Sequence, residues 1–220
     1  MLQDNLALGA GTGFALNPAD GDPEDTDPNP CCASQVVQLL HNVASGGGVG
    51  VNAILPGLVE NNVASGNSTA GFIITPGGDT GTVFQGNAAT GNGGPGVIVI
   101  FDENTFGLPH SISFAKFTGN DFYGNDRNRP PLSLGRFSFN PGAGAHCGVL
   151  NVGAQVFLDP QPLTPTVEKI QAASNYWGSA SGPAATGPGD TAGGVCDQNG
   201  GATTVKPFSP NWFSFVPLVW

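Results

Sequence analysis

The sequence predicts an all-β solenoid, a parallel β-helix of about seven coils with a C-terminal cap. Three observations predict it. The first is a recurring phrase. Residues Asn62 to Thr75 read Asn-Val-Ala-Ser-Gly-Asn-Ser-Thr-Ala-Gly-Phe-Ile-Ile-Thr: an Asn, three small or apolar residues, Gly, a polar bend, a second Gly, then a burst of β-formers. The phrase recurs from Asn5, Asn42 and Asn87, and more loosely from Asn120, where the second burst is Gly135-Arg-Phe-Ser-Phe. The second is the spacing. Marker asparagines at 5, 42, 62, 87, 120 and 175 lie 37, 20, 25, 33 and 55 residues apart, a solenoid period with insertions. The third is composition. The 220 residues include 35 Gly and 19 Pro without the three-residue period of collagen. Yet 39% are hydrophobic and 14 are Phe, and such residues need burial.

Other solenoids fit less well. A helical repeat needs long amphipathic runs, and only Ser34 to Leu40 offers a short one, with Ser34 as N-cap. A leucine-rich repeat would show a Leu ladder, and none is present. A calcium-binding β-roll needs serial Gly-Gly-x-Gly-x-Asp, and Gly77-Gly-Asp-Thr-Gly81 occurs once and misfits.

In a parallel β-helix each short strand stacks on its equivalent one coil away, at about 4.8 Å, with side chains alternating inward and outward. Phe72-Ile-Ile74 and Val97-Ile-Val-Ile100 would then stack aliphatic on aliphatic. Asn42, Asn62, Asn87 and Asn120 would form an amide ladder at a fixed corner, each bond worth about 0.5–1.5 kcal/mol net. The Gly after each short strand permits φ > 0 there. Extra residues must bulge from bends. Three such excursions are legible, at 17–30, 102–109 and 126–132. The gap from 120 to 175 also has room for a degenerate copy near Gly148 to Phe157.

One domain spans 1–220: coils over 1–172, the last coil and cap over 173–220. The first phrase starts at residue 5, behind no basic n-region or apolar h-region. The chain therefore reads as the C-terminal segment of a longer one. It would stand as a monomer or as part of a longer β-helix chain.

Net charge is −10, with six Lys/Arg. They form no basic stripe, so nucleic acid is not an expected partner. No apolar run reaches the roughly 20 residues of a membrane helix. Of the four Cys, Cys31 and Cys32 are adjacent, closer than ordinary disulfides prefer. Cys147 belongs near the sixth coil, about 20 Å from them by strand spacing. Cys196 follows the last coil and can fold back, so Cys147–Cys196 is the expected bridge; four free buried thiols are the alternative. A disulfide places the protein outside the cytosol, secreted or at the cell surface.

Residues 173–183 read Ala-Ser-Asn-Tyr-Trp-Gly-Ser-Ala-Ser-Gly-Pro, followed by Gly187-Pro-Gly-Asp190, Gly194-Val-Cys-Asp197 and Lys206-Pro-Phe208. This block resembles the closing block of bacterial right-handed parallel β-helix repeat proteins, the pectate-lyase-like superfamily. There an Asn-x-Trp-Gly turn followed by Ser-Gly-Pro ends the last coils. The resemblance covers Asn5 to Phe208 and implies the fold and its hand. It does not imply one activity, because the superfamily includes lyases, hydrolases, epimerases, tailspikes, adhesins and non-catalytic surface modules. An open solenoid end also needs a cap on physical grounds. Tyr176, Trp177, Trp212, Phe213, Phe215 and Trp220 supply the area for it; stacking on sugar rings is their other use.

Polysaccharide lyases of that fold use carboxylate-bound calcium with an Arg or Lys. Here Asp121, Asp126, Arg127 and Arg129 lie close together beside a long bend, where they would form a carboxylate acid and a guanidinium for an anionic sugar. A solvated loop with surface ion pairs is the plainer reading. No other coil offers an Asp in register with Asp121, since positions 43, 63 and 88 are Val, Val and Ala. Asp102 and Glu103 are adjacent and would face opposite ways. His41, His110 and His146 lie in different coils, without metal-ligand spacing. Asp20, Asp22, Glu24, Asp25 and Asp27 resemble an acidic calcium loop, with a Pro-braced solvated turn as the alternative; no cofactor other than calcium is suggested. Asn67-Ser-Thr69 matches a glycosylation sequon, which the resemblance to bacterial proteins implies is idle.

The expected function is a non-catalytic extracellular module presenting a face or loops to polysaccharide or a surface glycan. A lyase or glycoside hydrolase using the Asp121–Arg129 region is the alternative, and a stalk without a site is a third.

Overall fold

The computed structural model describes residues 1–16, 37–54, 56–76, 81–101, 114–126, 132–134, 137–139, 146–154, 169–180, 182–183, 194–197 and 202–213. Among these the chain is all-β, with strands and no helix. Three parallel sheets take the strands in rotation. β1 (Leu2–Gln3), β2 (Leu6–Leu8) and β3 (Thr12–Leu16) enter the first, second and third sheet. β4 (Val37–Leu40), β5 (Val43–Ser45) and β6 (Val49–Ile54) do the same, as do β7 (Pro56–Glu60), β8 (Val63–Ser65) and β9 (Ala70–Thr75). β10 (Thr82–Gln85), β11 (Ala88–Thr90) and β12 (Val97–Phe101) form the fourth round.

The fifth round is interrupted. β13 (Phe114–Thr118) and β14 (Asp121–Tyr123) join the first and second sheets. β15 (Leu132–Leu134) and β16 (Phe137–Phe139) then pair antiparallel with each other, and β17 (Cys147–Ala154) returns to the third sheet. The sixth round has β18 (Lys169–Gln171), a single bridge from Tyr176 to Asp121, and β19 (Gly194–Asp197). β20 (Ala202–Thr204) ends the first sheet.

Three expectations change here. Ser34 to Leu40 is not helical where described: Val37–Leu40 is a strand, held between β1 and β7 by parallel pairing. The burst at Gly135 does not fill the third sheet, because Phe137–Phe139 pairs with its own hairpin partner. The segment near Gly148 is not a coil of its own. It is the delayed third strand of the fifth round, pairing with Val97–Phe101.

The interior follows from register. Leu39, Val59, Phe84 and Phe117 stack in the first sheet and are all 0% exposed. Ala44, Ala64, Ala89 and Phe122 stack in the second, and Val51, Phe72, Val97 and Val149 in the third. The second sheet carries alanines because the third sheet's glycines press against it. A Cβ on Gly50 would stand 2.5 Å from the Gly71 carbonyl and 2.9 Å from the Ala64 Cβ. The second Gly of the phrase is therefore a close-approach residue. The first Gly does satisfy φ > 0, at 62° in Gly66 and 63° in Gly91.

The marker asparagines stand in one row. Asn42 Nδ2 donates to Asn62 Oδ1 at 2.9 Å, Asn62 to Asn87 at 3.0 Å, Asn87 to Asn120 at 3.1 Å and Asn120 to Asn175 at 2.8 Å. Each Oδ1 also accepts the backbone N–H of the preceding rung. Asn5 extends the row at its exposed end. A second row, Asn67–Asn92–Asn125, repeats this geometry at 3.0 and 2.9 Å. Asn67 is 1% exposed, so its amide is a rung and not a glycan acceptor.

Candidate functional site

The third residue of each second-sheet strand points outward: Leu8, Ser45, Ser65, Thr90 and Tyr123 are in register. Small hydroxyls thus give way to an aromatic at the fifth round. Tyr176, in the sixth round, stands in the neighbouring outward row, opposite Asp121. The Tyr123 and Tyr176 rings meet edge to face, 6.0 Å apart at 67°. Trp177 points the other way, onto Phe122 at 5.1 Å, and is fully buried. Alternation along an extended chain sends the two neighbours to opposite faces. Trp177 therefore closes the core, while Tyr176 is half-buried outside.

The C-terminal strap completes the site. Pro207 accepts from the Ser174 amide at 2.5 Å, and the Ser209 amide donates to the Asn175 carbonyl at 2.9 Å. The Phe213 amide then donates to both oxygens of Asp121, at 3.0 and 3.3 Å. Trp212 lies between these anchors and is 63% exposed. Together Tyr123, Tyr176 and Trp212 line an open groove of about 610 Å³ with Thr90. Its floor is backbone, at Gly91, Gly124 and Gly178. That volume is of the size that holds a small ligand.

Asp121 is the carboxylate that the strap engages, through the Phe213 amide. It is 2% exposed. Burial pushes its carboxyl up to about 6, and the Phe213 amide pulls partly against that. Tyr123 is also raised, first by burial, then by the Asp121 charge and by Tyr176.

The candidate catalytic residues do not share one setting. Asp121 clasps the strap. Asp126, also buried, accepts from the Cys147 amide at 3.0 Å, and its carbonyl meets His146 Nδ1 at 3.1 Å. Arg127 and Arg129 lie outside the described residues, as do Asp20, Asp22, Glu24, Asp25 and Asp27, and Phe215 and Trp220. Among the described residues no group of three or more His, Cys, Asp or Glu could hold a metal. No described helix is long and apolar enough to cross a membrane. Cys147 and Cys196 are bridged, with Cα atoms 5.7 Å apart. They sit on neighbouring strands of the third sheet, β17 and β19, one round nearer the start than the spacing suggested.

No protein-family model, no curated protein and no solved structure matches this chain.

Proposed function

We propose that the chain is a right-handed parallel β-helix, similar to the pectate-lyase-like repeat proteins, acting as a secreted or cell-surface module that binds glycan without cleaving it. Rotation of strands through three parallel sheets supports the helix. Its hand follows the rule that parallel crossovers are right-handed in about 98% of cases. The disulfide supports export. The glycan reading is carried by one observation: three aromatic side chains converge on an open groove with a backbone floor. Flat apolar rings beside hydroxyls suit sugars, which present C–H faces and equatorial hydroxyls.

The second reading, a lyase or hydrolase, has Asp121 in its favour, because a carboxyl near 6 suits a general acid. Against it, Asp121 oxygens are engaged with the Phe213 amide, and the residue does not line the groove. A panel of acidic and neutral polysaccharides, assayed for binding, unsaturated product and reducing ends, decides between them. Binding without product is expected. Product formation that disappears in Asp121→Ala would replace the module by an enzyme.

A further inference from the structure

We propose that the groove takes an uncharged pyranose, and that the clasp between Asp121 and the Phe213 amide positions Trp212 against it. This deepens the glycan reading and rests on it.

The charge argument comes from strand alternation. Asp121 and Tyr123 are two residues apart on β14, so both face outward, and Tyr176 bridges Asp121 directly. The groove thus lies beside a carboxylate whose field already reaches the Tyr123 phenol. Among the described residues no Lys or Arg lines it, and the chain carries 16 acidic against six basic residues. A uronate, sulfate or phosphate would meet like charge from Asp121 and from the acidic chain as a whole. Hydroxyls meet no such opposition. They find the Tyr123 and Tyr176 phenols, the Thr90 hydroxyl and bare backbone at the glycines. A Cβ built on Gly91 would touch nothing within 4 Å, so that floor is open to a ring.

The positioning argument comes from the strap. Trp212 makes no aromatic contact with the two tyrosines; their ring contact is with each other. Its place is fixed by the backbone on either side, at Ser209 and at Phe213. The Phe213 contact is a charge-assisted bond to a buried side chain, the stronger kind. Removing that acceptor releases Trp212 without touching the groove floor.

The test is a glycan array of neutral and acidic oligosaccharides, followed by calorimetry on the best ligand. Neutral ligands are expected to bind and Trp212→Ala to weaken them on the order of thirtyfold, as for an aromatic anchor. Trp212 is exposed, so this variant keeps its fold. Asp121→Ala and Phe213→Pro, which remove the acceptor and the donor in turn, are expected to approach that loss. Asp121→Asn keeps an acceptor and is expected to hold affinity within about threefold. Binding confined to acidic glycans overturns the inference and leaves the glycan reading standing. No binding to any glycan overturns both. Wild-type affinity in a folded Phe213→Pro protein overturns the clasp.

Discussion

The outer faces of the second and third sheets begin from the same rounds of chain and end in opposite conditions. On the third sheet the outward row runs Asn52, Ile73, Ile98, Leu150 and Cys196. From Ile73 onward it is buried, and with Ala70, Ile100, Cys147 and Val152 it forms a second apolar cluster outside the main core. On the second sheet one outward row is serine, threonine and tyrosine beside a row of Val43, Val63, Ala88 and Asp121, and the face stays open at the groove. The lesson concerns where function can sit. A strand buried on both faces reads as a continuous apolar run, as in Phe72-Ile-Ile and Val97-Ile-Val-Ile. A strand with hydroxyls outward is free to become a binding face by changing one residue per round.

The contrast can be broken at several depths. The disulfide ties the third sheet's outer cluster across 49 residues. Replacing Cys147 and Cys196 together by Ser should lower unfolding free energy by about 4 kcal/mol by loop entropy, read by urea denaturation. A loss under about 1 kcal/mol would mean that this face is held by packing alone. Next, Ile98→Ala should cost about 2–5 kcal/mol, whereas Ser65→Ala on the second sheet should stay within about 0.5 kcal/mol. Equal losses would erase the distinction between the faces.

A further effect is a matter of pH. Asp121 is raised from 3.8 to about 6 in the folded chain. The folded state therefore binds more protons than the unfolded state between those values. This group's contribution makes stability fall as pH rises from 3.8 to about 6, then level. Asp121→Asn lacks that slope. Its Tm should exceed the wild-type value at pH 7, and the gap should close on going to pH 4. A gap constant across that range would show the carboxyl to be less perturbed than its burial implies.

Much of the spine was legible because its chemistry is local. An Asn followed by small residues and two glycines marks a corner wherever it occurs, and register then follows. The second row, Asn67, Asn92 and Asn125, was missed, although each lies five residues after a marker. The third strand of the fifth round was misplaced because 23 residues lie between Tyr123 and Cys147, and a Phe-containing hairpin inside them imitates the expected burst. The groove was legible only in part: Tyr176 and Trp212 stood among the aromatics that could stack on sugar rings, but Tyr123 did not. Tyr123, Tyr176 and Trp212 are distant in sequence, and only parallel register and the strap bring them together. One hint was available. The absence of an Asp at 43, 63 and 88 marked Asp121 as an exception in its row, and exceptions in a repetitive scaffold are where its surface departs from the pattern.

Every rung of the asparagine row offers its neighbours the same donors and the same acceptor. The backbone between rungs is therefore irrelevant to the join: 20 residues link Asn42 to Asn62 and 55 link Asn120 to Asn175. A foreign peptide grafted into such a bend would leave the amide column untouched, which makes this chain a candidate display frame for cargo of widely differing length.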